Sequence, residues 1–223
     1  YNGGVQKLPC TVRDYVFSDF NENQGEKCFA ALNSSFSEVW WYYPSSGSEG
    51  IDRYVVYNYV QNIWYVGNLN RTAWIDRGVY NLPIAASTDY YLYDHETGSD
   101  DGSTAPAQAI TAFIESSQFD IGEGDQFSFV RRVIPDLTFR DSTAVAPVVN
   151  FTLQSRNYPG GAYTNTDASA ITRSAVVPVE QFTQDANIRL RGRSMSIKLD
   201  SSATGVAWRL GAPRIEIRTD GRR

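Results

Sequence analysis

Short extended runs separated by turn-forming residues are the feature that most restricts the fold of this chain. Strand-favouring residues recur in short runs broken by Gly, Pro, Asn, Asp and Ser. Helical periodicity is nearly absent, and the nearest candidate, residues 107–115, suits a strand equally well. The pattern predicts an all-β fold of sandwich, barrel or propeller type. The predicted strands are 38–43, 53–59, 63–66, 90–93, 126–133, 148–154, 188–190, 194–199, 206–210 and 214–218.

The most regular part of the pattern lies between residues 38 and 67. Three aromatic-rich strands are joined there by a Ser- and Gly-rich turn at 45–50 and by a short turn at Gln61-Asn62. Because the connections are short, we predict a three-stranded antiparallel meander. Meanders of four strands form the blades of β-propellers, so this region predicts propeller-like blades.

Side-chain alternation in the middle strand predicts which face of the meander is buried. Val55, Tyr57 and Tyr59 share one face, and past Arg53 that face is entirely apolar or aromatic, so we predict that it faces the core. Large rings favour pleated, buried surfaces. We therefore expect the following tryptophans to be largely buried: Trp40 or Trp41, Trp64 and Trp74.

A change in composition predicts the domain organisation. Residues 94–106 are rich in Gly, Ser, Asp and Thr, and the chain beyond them has fewer aromatic residues and more Arg. We interpret residues 1–112 as propeller-like blades, incomplete at the N-terminus, and 113–223 as a β-sandwich-like domain. The opening residues resemble the interior of a longer chain, and we expect a C-terminal fragment of a longer protein.

The charge of −5 is distributed unevenly. Residues 1–110 hold 6 basic and 13 acidic side chains, whereas residues 187–223 hold 9 and 3. Arg is strongly preferred over Lys, and its planar fork suits specific polar contacts. In a ring of identical subunits one chain presents both signs to its neighbours. We predict inter-subunit contacts for Arg191, Arg193, Arg209 and Arg214; contact with DNA, or an ordinary solvated strand face, are the alternatives.

The sequence holds no recognisable catalytic signature. His95, the single histidine, lies between Asp94 and Glu96, but no nucleophile elbow or Walker motif accompanies it, so we interpret it as a surface or hydrogen-bonding residue. The acidic stretches 94–101 and 120–125 favour solvated turns, with a cation site as the alternative. We predict two buried thiols for Cys10 and Cys28, with a bridge between them as the alternative. No cofactor is expected.

Several motifs, in order along the chain, resemble one family of phage structural proteins. The residues that carry the resemblance are EVWWYYPS at 38–45, YVVYNY at 54–59, Trp64 with Gly67, RTAWID at 71–76, His95-Glu96 with Gly98, FDIGEGD at 119–125, VIPD at 133–136, RGR at 191–193, GVAWRLG at 205–211 and DGRR at 220–223. They are similar to the tail hub, nozzle or stabilisation proteins of short-tailed bacteriophages that carry double-stranded DNA.

The resemblance implies a non-catalytic component of the virion tail with propeller-like β domains, assembled in the bacterial cytoplasm. Its partners would be identical subunits in a ring, usually of six, the portal and adaptor proteins, and tail fibres or spikes, with transient contact with DNA in the lumen. Family proteins are longer than this chain. No apolar run is long enough to cross a membrane as a helix, so no membrane insertion is expected.

A second function agrees with the same residues. Exposed Trp and Tyr rings with nearby acids would also serve a carbohydrate-binding or carbohydrate-cleaving component of the tail that recognises a receptor. Any two carboxylates that meet in space could form the acid pair of a glycosidase, and the sequence selects no such pair.

Overall fold

The computed structural model describes residues 3–5, 7–120, 124–158 and 174–221 of the 223-residue chain. Its regular structure is predominantly antiparallel β-sheet, which confirms the all-β prediction. The chain divides into two compact units, residues 1–98 and 99–223. The predicted division of 1–112 from 113–223 stays a prediction. In the described part of the chain, no helix is long and apolar enough to cross a membrane.

The first unit begins with two short helices and continues as strands. Its helices are α1 (Arg13–Asp19) and a 3-10 helix (Glu22–Lys27). Its strands are β1 (Phe29–Asn33), β2 (Glu38–Tyr43), β3 (Arg53–Asn58), β4 (Ile63–Asn68), β5 (Ala73–Ile75), β6 (Ile84–Ala86) and β7 (Leu92–Asp94). The helix α1 was not predicted, because its seven residues are too few to show a helical repeat.

Strands β1 to β4 form one antiparallel sheet in chain order. Trp40 lies opposite Val56 of β3, and Val56 lies opposite Tyr65 of β4. Residues 38–67 are all described and contain no helix, so the predicted three-stranded meander is confirmed. Strand β1 extends it beside β2. Strands β5, β6 and β7 form a second antiparallel sheet.

The core of the first unit lies on the face of the meander opposite to the predicted one. Trp40, Tyr42 and Val56 are buried there, and Trp74 packs against them. Of the predicted face, Val55 is buried, whereas Tyr57 is half-buried and Tyr59 is exposed. The expected burial of tryptophans is confirmed for Trp40, but Trp64 and Trp74 are only half-buried.

The prediction of the buried face was wrong because the polar residue Asn58 is buried with its hydrogen bonds made. Asn58 shares the buried face with Val56, yet its amide donates to the carbonyl of Phe36 at 2.9 Å. Its Oδ1 accepts from the backbone N–H groups of Val60 and Gln61 at 3.1 and 2.9 Å. Burying a polar group costs little when its hydrogen bonds are made. The amide therefore did not exclude this face from the core.

The second unit contains twelve of the described strands, arranged as antiparallel pairs. They are β8 (Asp100–Asp101), β9 (Gln108–Ala109), β10 (Ala112–Glu115), β11 (Phe119–Asp120), β12 (Ser128–Ile134), β13 (Leu137–Thr138), β14 (Val148–Arg156), β15 (Ser174–Glu180), β16 (Ala186–Gly192), β17 (Ser194–Ser201), β18 (Arg209–Leu210) and β19 (Arg214–Thr219). Residues 107–115, the nearest helical candidate, are therefore partly extended rather than helical.

Two sheets of the second unit share one hydrophobic core. One sheet has the order β10-β17-β14-β15, with β11 also paired to β17, and the other has the order β16-β12-β19. The buried side chains of both sheets belong to a single cluster. Its fully buried members are Val130, Val133, Val149, Phe151, Leu153, Val179, Ile188, Leu190, Met195 and Leu199. Alternation along each strand sends the intervening residues to the opposite side.

The two cysteines are not the buried pair that we predicted. Cys10 is half-buried and Cys28 is exposed, and both are free thiols. Both residues lie in the irregular segments that flank α1 and the 3-10 helix, where little of the chain is buried. Free cysteines are often buried in proteins because they pack as small apolar residues in a core. These two positions do not belong to a hydrophobic core of the described residues.

Candidate functional site

The outer side of the sheet β16-β12-β19 carries a concentration of arginines. Val130 and Leu190 point into the core, so the neighbouring positions on these strands face outward. A β-bulge after Val130 adds one residue, Arg131, which is exposed. We call this surface the arginine face. Its arginines are Arg131, Arg132, Arg189, Arg191, Arg214 and Arg218.

Acidic side chains neutralise only part of the arginine face. Arg132 contacts Asp185 at 3.4 Å and Glu216 at 3.2 Å, and Arg218 contacts Glu216 at 3.5 Å. Across the described residues, no ion pair is made by the three exposed arginines of the face that remain, which are Arg131, Arg189 and Arg214. The face therefore keeps a positive charge that is available to a partner.

Two of the predicted interface arginines are organised around one ring. The guanidinium carbon of Arg191 lies 3.9 Å from the ring centre of Phe127, and that of Arg193 lies 4.7 Å from it. Arg191 also donates to the carboxylate and to the carbonyl of Asp220. The attraction between a cation and a ring face stabilises this stack. Both side chains thus have a structural role within the second unit.

The other two predicted interface arginines lie apart from that stack. Arg209 contacts Asp141 at 2.9 Å, and the two side chains are 77% and 57% exposed. They border a shallow cavity lined also by Thr138, Arg140 and Trp208. Arg214 belongs to the arginine face. The structure therefore does not bring the four arginines together as one site, and their role between subunits stays a prediction.

His95 is a packing and hydrogen-bonding residue of the first unit. Its Nε2 accepts a hydrogen bond from Nε of Arg71 at 2.9 Å, and its ring centre lies 4.7 Å from that of Trp74. Burial, with Arg71 beside it, lowers the pKa of His95 to about 4. The imidazole is therefore neutral at physiological pH, and its acceptor nitrogen is already occupied by Arg71.

Two carboxylates, Glu38 and Glu96, lie near the aromatic core of the first unit and accept hydrogen bonds from side chains. Glu38, which is 8% exposed, accepts a hydrogen bond from Nε1 of Trp40 at 3.0 Å. Burial and, after it, the Glu38 carboxylate raise the pKa of Tyr65. Glu96 accepts from Nδ2 of Asn33 at 2.8 Å. Burial and, to a smaller extent, the nearby Glu38 raise the pKa of Glu96. Glu38 is buried and Glu96 is exposed, and Oδ1 of the buried Asn33 makes no hydrogen bond among the described residues.

Two motifs of the second unit meet where the loop between β12 and β13 contacts the residues that follow β18. Asp136 has a left-handed φ of 49°, its carbonyl accepts from the N–H of Gly211 at 2.8 Å, and its Oδ2 accepts from the N–H of Ala212 at 2.8 Å. A Cβ at position 211 would lie 3.0 Å from Oδ1 of Asp136 and closer still to Cγ and Oδ2. Only glycine leaves room for this carboxylate.

The predicted core face of the meander carries a partly exposed group of rings. Trp41 stacks on Trp64 with ring centres 5.8 Å apart, and Tyr57 lies 4.6 Å from Trp64. The hydroxyl of Tyr57 donates to Oδ1 of Asn62 at 2.6 Å, and Nε1 of Trp64 donates to the carbonyl of Pro9 at 2.9 Å. We call these three rings the aromatic platform.

Two carboxylates of the acidic stretches accept hydrogen bonds from backbone N–H groups. Oδ1 of Asp100 accepts from the N–H of Gly205 at 2.7 Å, and Oδ1 of Asp101 accepts from the N–H of Ser103 at 2.9 Å. Glu123 lies outside the described residues. Among the residues that are described, no three His, Cys, Asp or Glu side chains are grouped as a metal site would require.

Sequence reasoning missed the carboxylate pair and the arginine face. Glu38 alternates with Trp40 and Tyr42 along β2, and that spacing could have placed its carboxylate among the rings. The adjacent Arg131 and Arg132 could have indicated a bulge in this strand, since two successive charged residues break alternation. Nothing local to Glu96 indicated that it approaches Asn33, 63 positions earlier.

No protein-family model matches the chain, and a search of curated proteins found no significant match. The resemblance to phage tail proteins therefore depends on the quoted motifs and on where the fold places them.

Proposed function

We propose that this chain is a non-catalytic structural component of the tail of a short-tailed bacteriophage, of the hub or nozzle type. In this role it forms part of a ring or tube below the portal, through which DNA leaves and to which fibres or spikes attach. Its partners are identical subunits, portal or adaptor proteins and fibre or spike proteins, and its location is the virion tail.

The observation that carries the proposal is that the motifs behind the resemblance pack on one another. In the first unit, Arg71 and Trp74 of one motif contact His95 of the next at 2.9 and 4.7 Å. Trp74 also stacks on Trp40 of the first motif, with ring centres 5.6 Å apart. Motifs shared for structural reasons are expected to meet as packing contacts, whereas catalytic motifs are expected to converge on an open, reactive site.

The second unit supports the same interpretation. Asp136 ends one motif and Gly211 ends another. Asp136 accepts hydrogen bonds from the N–H groups of Gly211 and Ala212, so the two motifs contact each other. Arg191 and Arg193 of a third motif stack on Phe127, and Arg191 also bonds Asp220 of the last. Each contact fixes the position of backbone or of aromatic rings, as expected of a protein with a structural role.

The finer architecture belongs to this proposal. A four-stranded antiparallel meander with rings on both faces has the form of a propeller blade, and the sheet of β5 to β7, whose Trp74 packs on its core face, would be part of the next. Two sheets around one core suit a β-sandwich-like second domain. Further blades would be supplied by a longer protein or by neighbouring chains.

The non-catalytic part of the proposal is supported by the polar groups of the first unit. Nε2 of His95 already accepts a hydrogen bond from Arg71. A general base needs its acceptor free for the proton that it removes. We expect His95→Ala to leave any hydrolytic activity of the particle unchanged, measured against the wild-type particle, whereas loss of activity with the fold intact would contradict this part.

The location is tested by labelling particles. Phage particles whose genome encodes the chain are purified from a lysate of infected bacteria. Antibodies raised against the chain should bind these intact particles at the vertex where the tail joins the capsid. Electron microscopy with gold-labelled antibodies reads the position. Abundant chain in the lysate with no label on purified particles would overturn the proposal.

A second candidate function is favoured by the aromatic platform. Trp41, Tyr57 and Trp64 remain half-buried and are stacked, and aromatic faces of this kind can bind sugar rings. The protein would then be a tail component that recognises a receptor by binding or cleaving carbohydrate. Binding of a glycan array by the wild-type chain, and its loss in Trp64→Ala, would favour this function; turnover of host polysaccharide would extend it to cleavage.

A further inference from the structure

We infer that the arginine face is a docking surface for a second copy of this chain, through the acidic helical segment of that copy's first unit. The acidic helical segment is α1 with the 3-10 helix, residues 13–27. The inference rests on the proposed function, because a ring of identical subunits needs two different surfaces that fit each other.

The first step is the charge that the arginine face leaves uncompensated. Its strands carry six arginines and one outward acid, Glu216. Arg132 and Arg218 share that acid at 3.2 and 3.5 Å. Arg131 and Arg189 are exposed and without an ion pair among the described residues. A flat sheet surface with several free guanidinium groups is suited to an acidic partner, since Arg pairs with carboxylates in a planar, bidentate manner.

The second step is the acidic charge of the first unit. Residues 1–98 hold 11 acidic and 6 basic side chains. Within the acidic helical segment Asp14, Glu22 and Glu26 are exposed, whereas the fourth acid, Asp19, already contacts Arg53 at 3.3 Å. The basic residues of the segment are Arg13 and Lys27. Opposite charges on two surfaces of the same chain favour association between copies in one register and disfavour contact of like surfaces.

The third step is that α1 lacks a core of its own. None of its seven residues is buried, and no side chain caps its N-terminus. Isolated helices shorter than about 12 residues are marginal in water, so a helix of this kind is expected to gain its stability by packing on a partner. Its Tyr15 and Phe17 are 56% and 64% exposed. These rings add apolar contact area to the charge.

The fourth step is that rings and arginines fit each other in this chain. Arg191 and Arg193 both lie over Phe127, at 3.9 and 4.7 Å from its ring centre. Tyr15 of a second copy offers a ring for the guanidinium groups of the arginine face in the same manner, and Phe17 beside it already has the guanidinium carbon of Arg13 5.8 Å from its ring centre. The acids of the segment supply ion pairs and its rings supply stacking, so one occupant accounts for both properties of the face.

The experiment is a charge exchange between the two surfaces in the full chain. Arg189→Glu with Arg214→Glu reverses the face at two exposed positions that make no ion pair, and Glu22→Arg with Glu26→Arg reverses the segment. Sedimentation velocity over a range of protein concentrations measures assembly. We expect each double variant to raise the concentration for half-assembly about tenfold or more, and high salt to do the same to the wild type.

The quadruple variant, with both surfaces reversed, should assemble to within about threefold of the wild type, because opposite charges face each other again. The matched control is Arg77→Glu with Arg140→Glu, which removes the same charge from exposed arginines outside the face and should leave assembly unchanged. Circular dichroism of every variant checks that the fold is kept.

Three outcomes would overturn the inference. Normal assembly of both double variants, absence of rescue in the quadruple variant, or a wild-type chain that stays monomeric would each do so. Loss of binding to labelled duplex DNA in the arginine variant, with assembly intact, would assign the face to nucleic acid instead. None of these results decides the proposed function, which depends on whether antibodies label the tail of the particle.

Discussion

The core of the first unit is built from aromatic rings with polar tips, whereas that of the second is built mainly from aliphatic side chains. In the first, Trp40, Tyr42 and Tyr54 pack together, and Nε1 of Trp40 donates to the buried Glu38. The second contains Val, Leu and Ile around Phe151 and Met195. Aliphatic packing depends on filled volume, whereas a ring with a polar tip also needs its hydrogen-bond partner. We therefore expect the two units to respond differently to substitution.

The largest expected effect is in the aliphatic core. Phe151 is fully buried between the two sheets of the second unit. Phe151→Ala should lower the free energy of unfolding by about 3–5 kcal/mol, since it removes apolar contacts and leaves a cavity. Urea unfolding measures the loss, and hydrogen exchange assigns it to a unit. Val176→Ala, at a residue 59% exposed on the adjacent strand, is the control. Equal effects of the two variants would contradict the assigned core.

The next effect tests the tight fit of rings in the first unit. A Cβ at Gly67 would lie 2.8 Å from Cε1 of Tyr54 and nearer to its Cζ and hydroxyl. Gly67→Ala should therefore destabilise the unit by about 1–3 kcal/mol through overpacking. Tryptophan fluorescence during urea unfolding reports it, because four of the five tryptophans lie in this unit.

A double variant sharpens the same test. Combined with Tyr54→Ala, Gly67→Ala should cost less than it does alone, because the ring that it meets is gone. Gly50→Ala, where a Cβ would meet nothing within 4 Å, should change the free energy of unfolding by less than about 0.5 kcal/mol. Additive effects of the two core variants would show that Gly67 is required for another reason.

The third effect depends on pH and distinguishes the polar core from the aliphatic one. His95 has a folded-state pKa of about 4, below its ordinary value of 6.5. Its contribution to stability is therefore complete above pH 6.5 and is lost as the pH falls towards 4. Urea midpoints at several pH values should fall less steeply on acidification in His95→Gln than in the wild type.

Glu96 should act in the opposite direction. Its pKa is raised in the folded unit, so its contribution is present at low pH and is lost as the pH rises through the folded-state value. Glu96→Gln should therefore make the acid loss of stability steeper. If His95→Gln and Glu96→Gln both leave the pH profile unchanged, the pKa values of these two groups are not shifted in the folded unit in these directions.

The smallest effect is expected at the rim of the second unit. The pair of Arg209 with Asp141 is largely exposed, so Arg209→Ala should change the free energy of unfolding by no more than about 0.5 kcal/mol. Arg191→Ala should cost more, because that guanidinium also covers Phe127. Thermal unfolding of both variants in low and high salt makes the comparison. A larger loss for Arg209→Ala would reverse the ranking.

The sequence was most informative where local pattern decides structure. Strand β2 has the predicted bounds, and β3 and β4 differ from prediction by one and two residues. Alternation located these strands but not their buried face, because the burial of Asn58 depends on backbone groups in the flanking turns. The strand predicted at 206–210 shrinks to β18, since pairing is made only with the two residues of β13.

The candidate sites were harder to predict because they depend on distant pairing. Arg191 and Arg193 were selected for charge, yet their placement over Phe127 requires pairing between β12 and β16. The concentration of free arginines depends on three strands from different parts of the chain. Local periodicity holds no information about which strands become neighbours, so the arginine face could not be assembled from it.

The contact between Asp136 and Gly211 restricts which substitutions the sequence of this chain can accept. The carboxylate occupies the space that a side chain at 211 would need, and it also holds the N–H of Ala212. The steric limit therefore applies to position 211: a larger residue there is tolerated only after the acid at 136 has been lost. Among diverged copies of this gene, we expect a residue other than glycine at 211 only where Asp136 has also been replaced, although the two positions lie 75 residues apart in sequence.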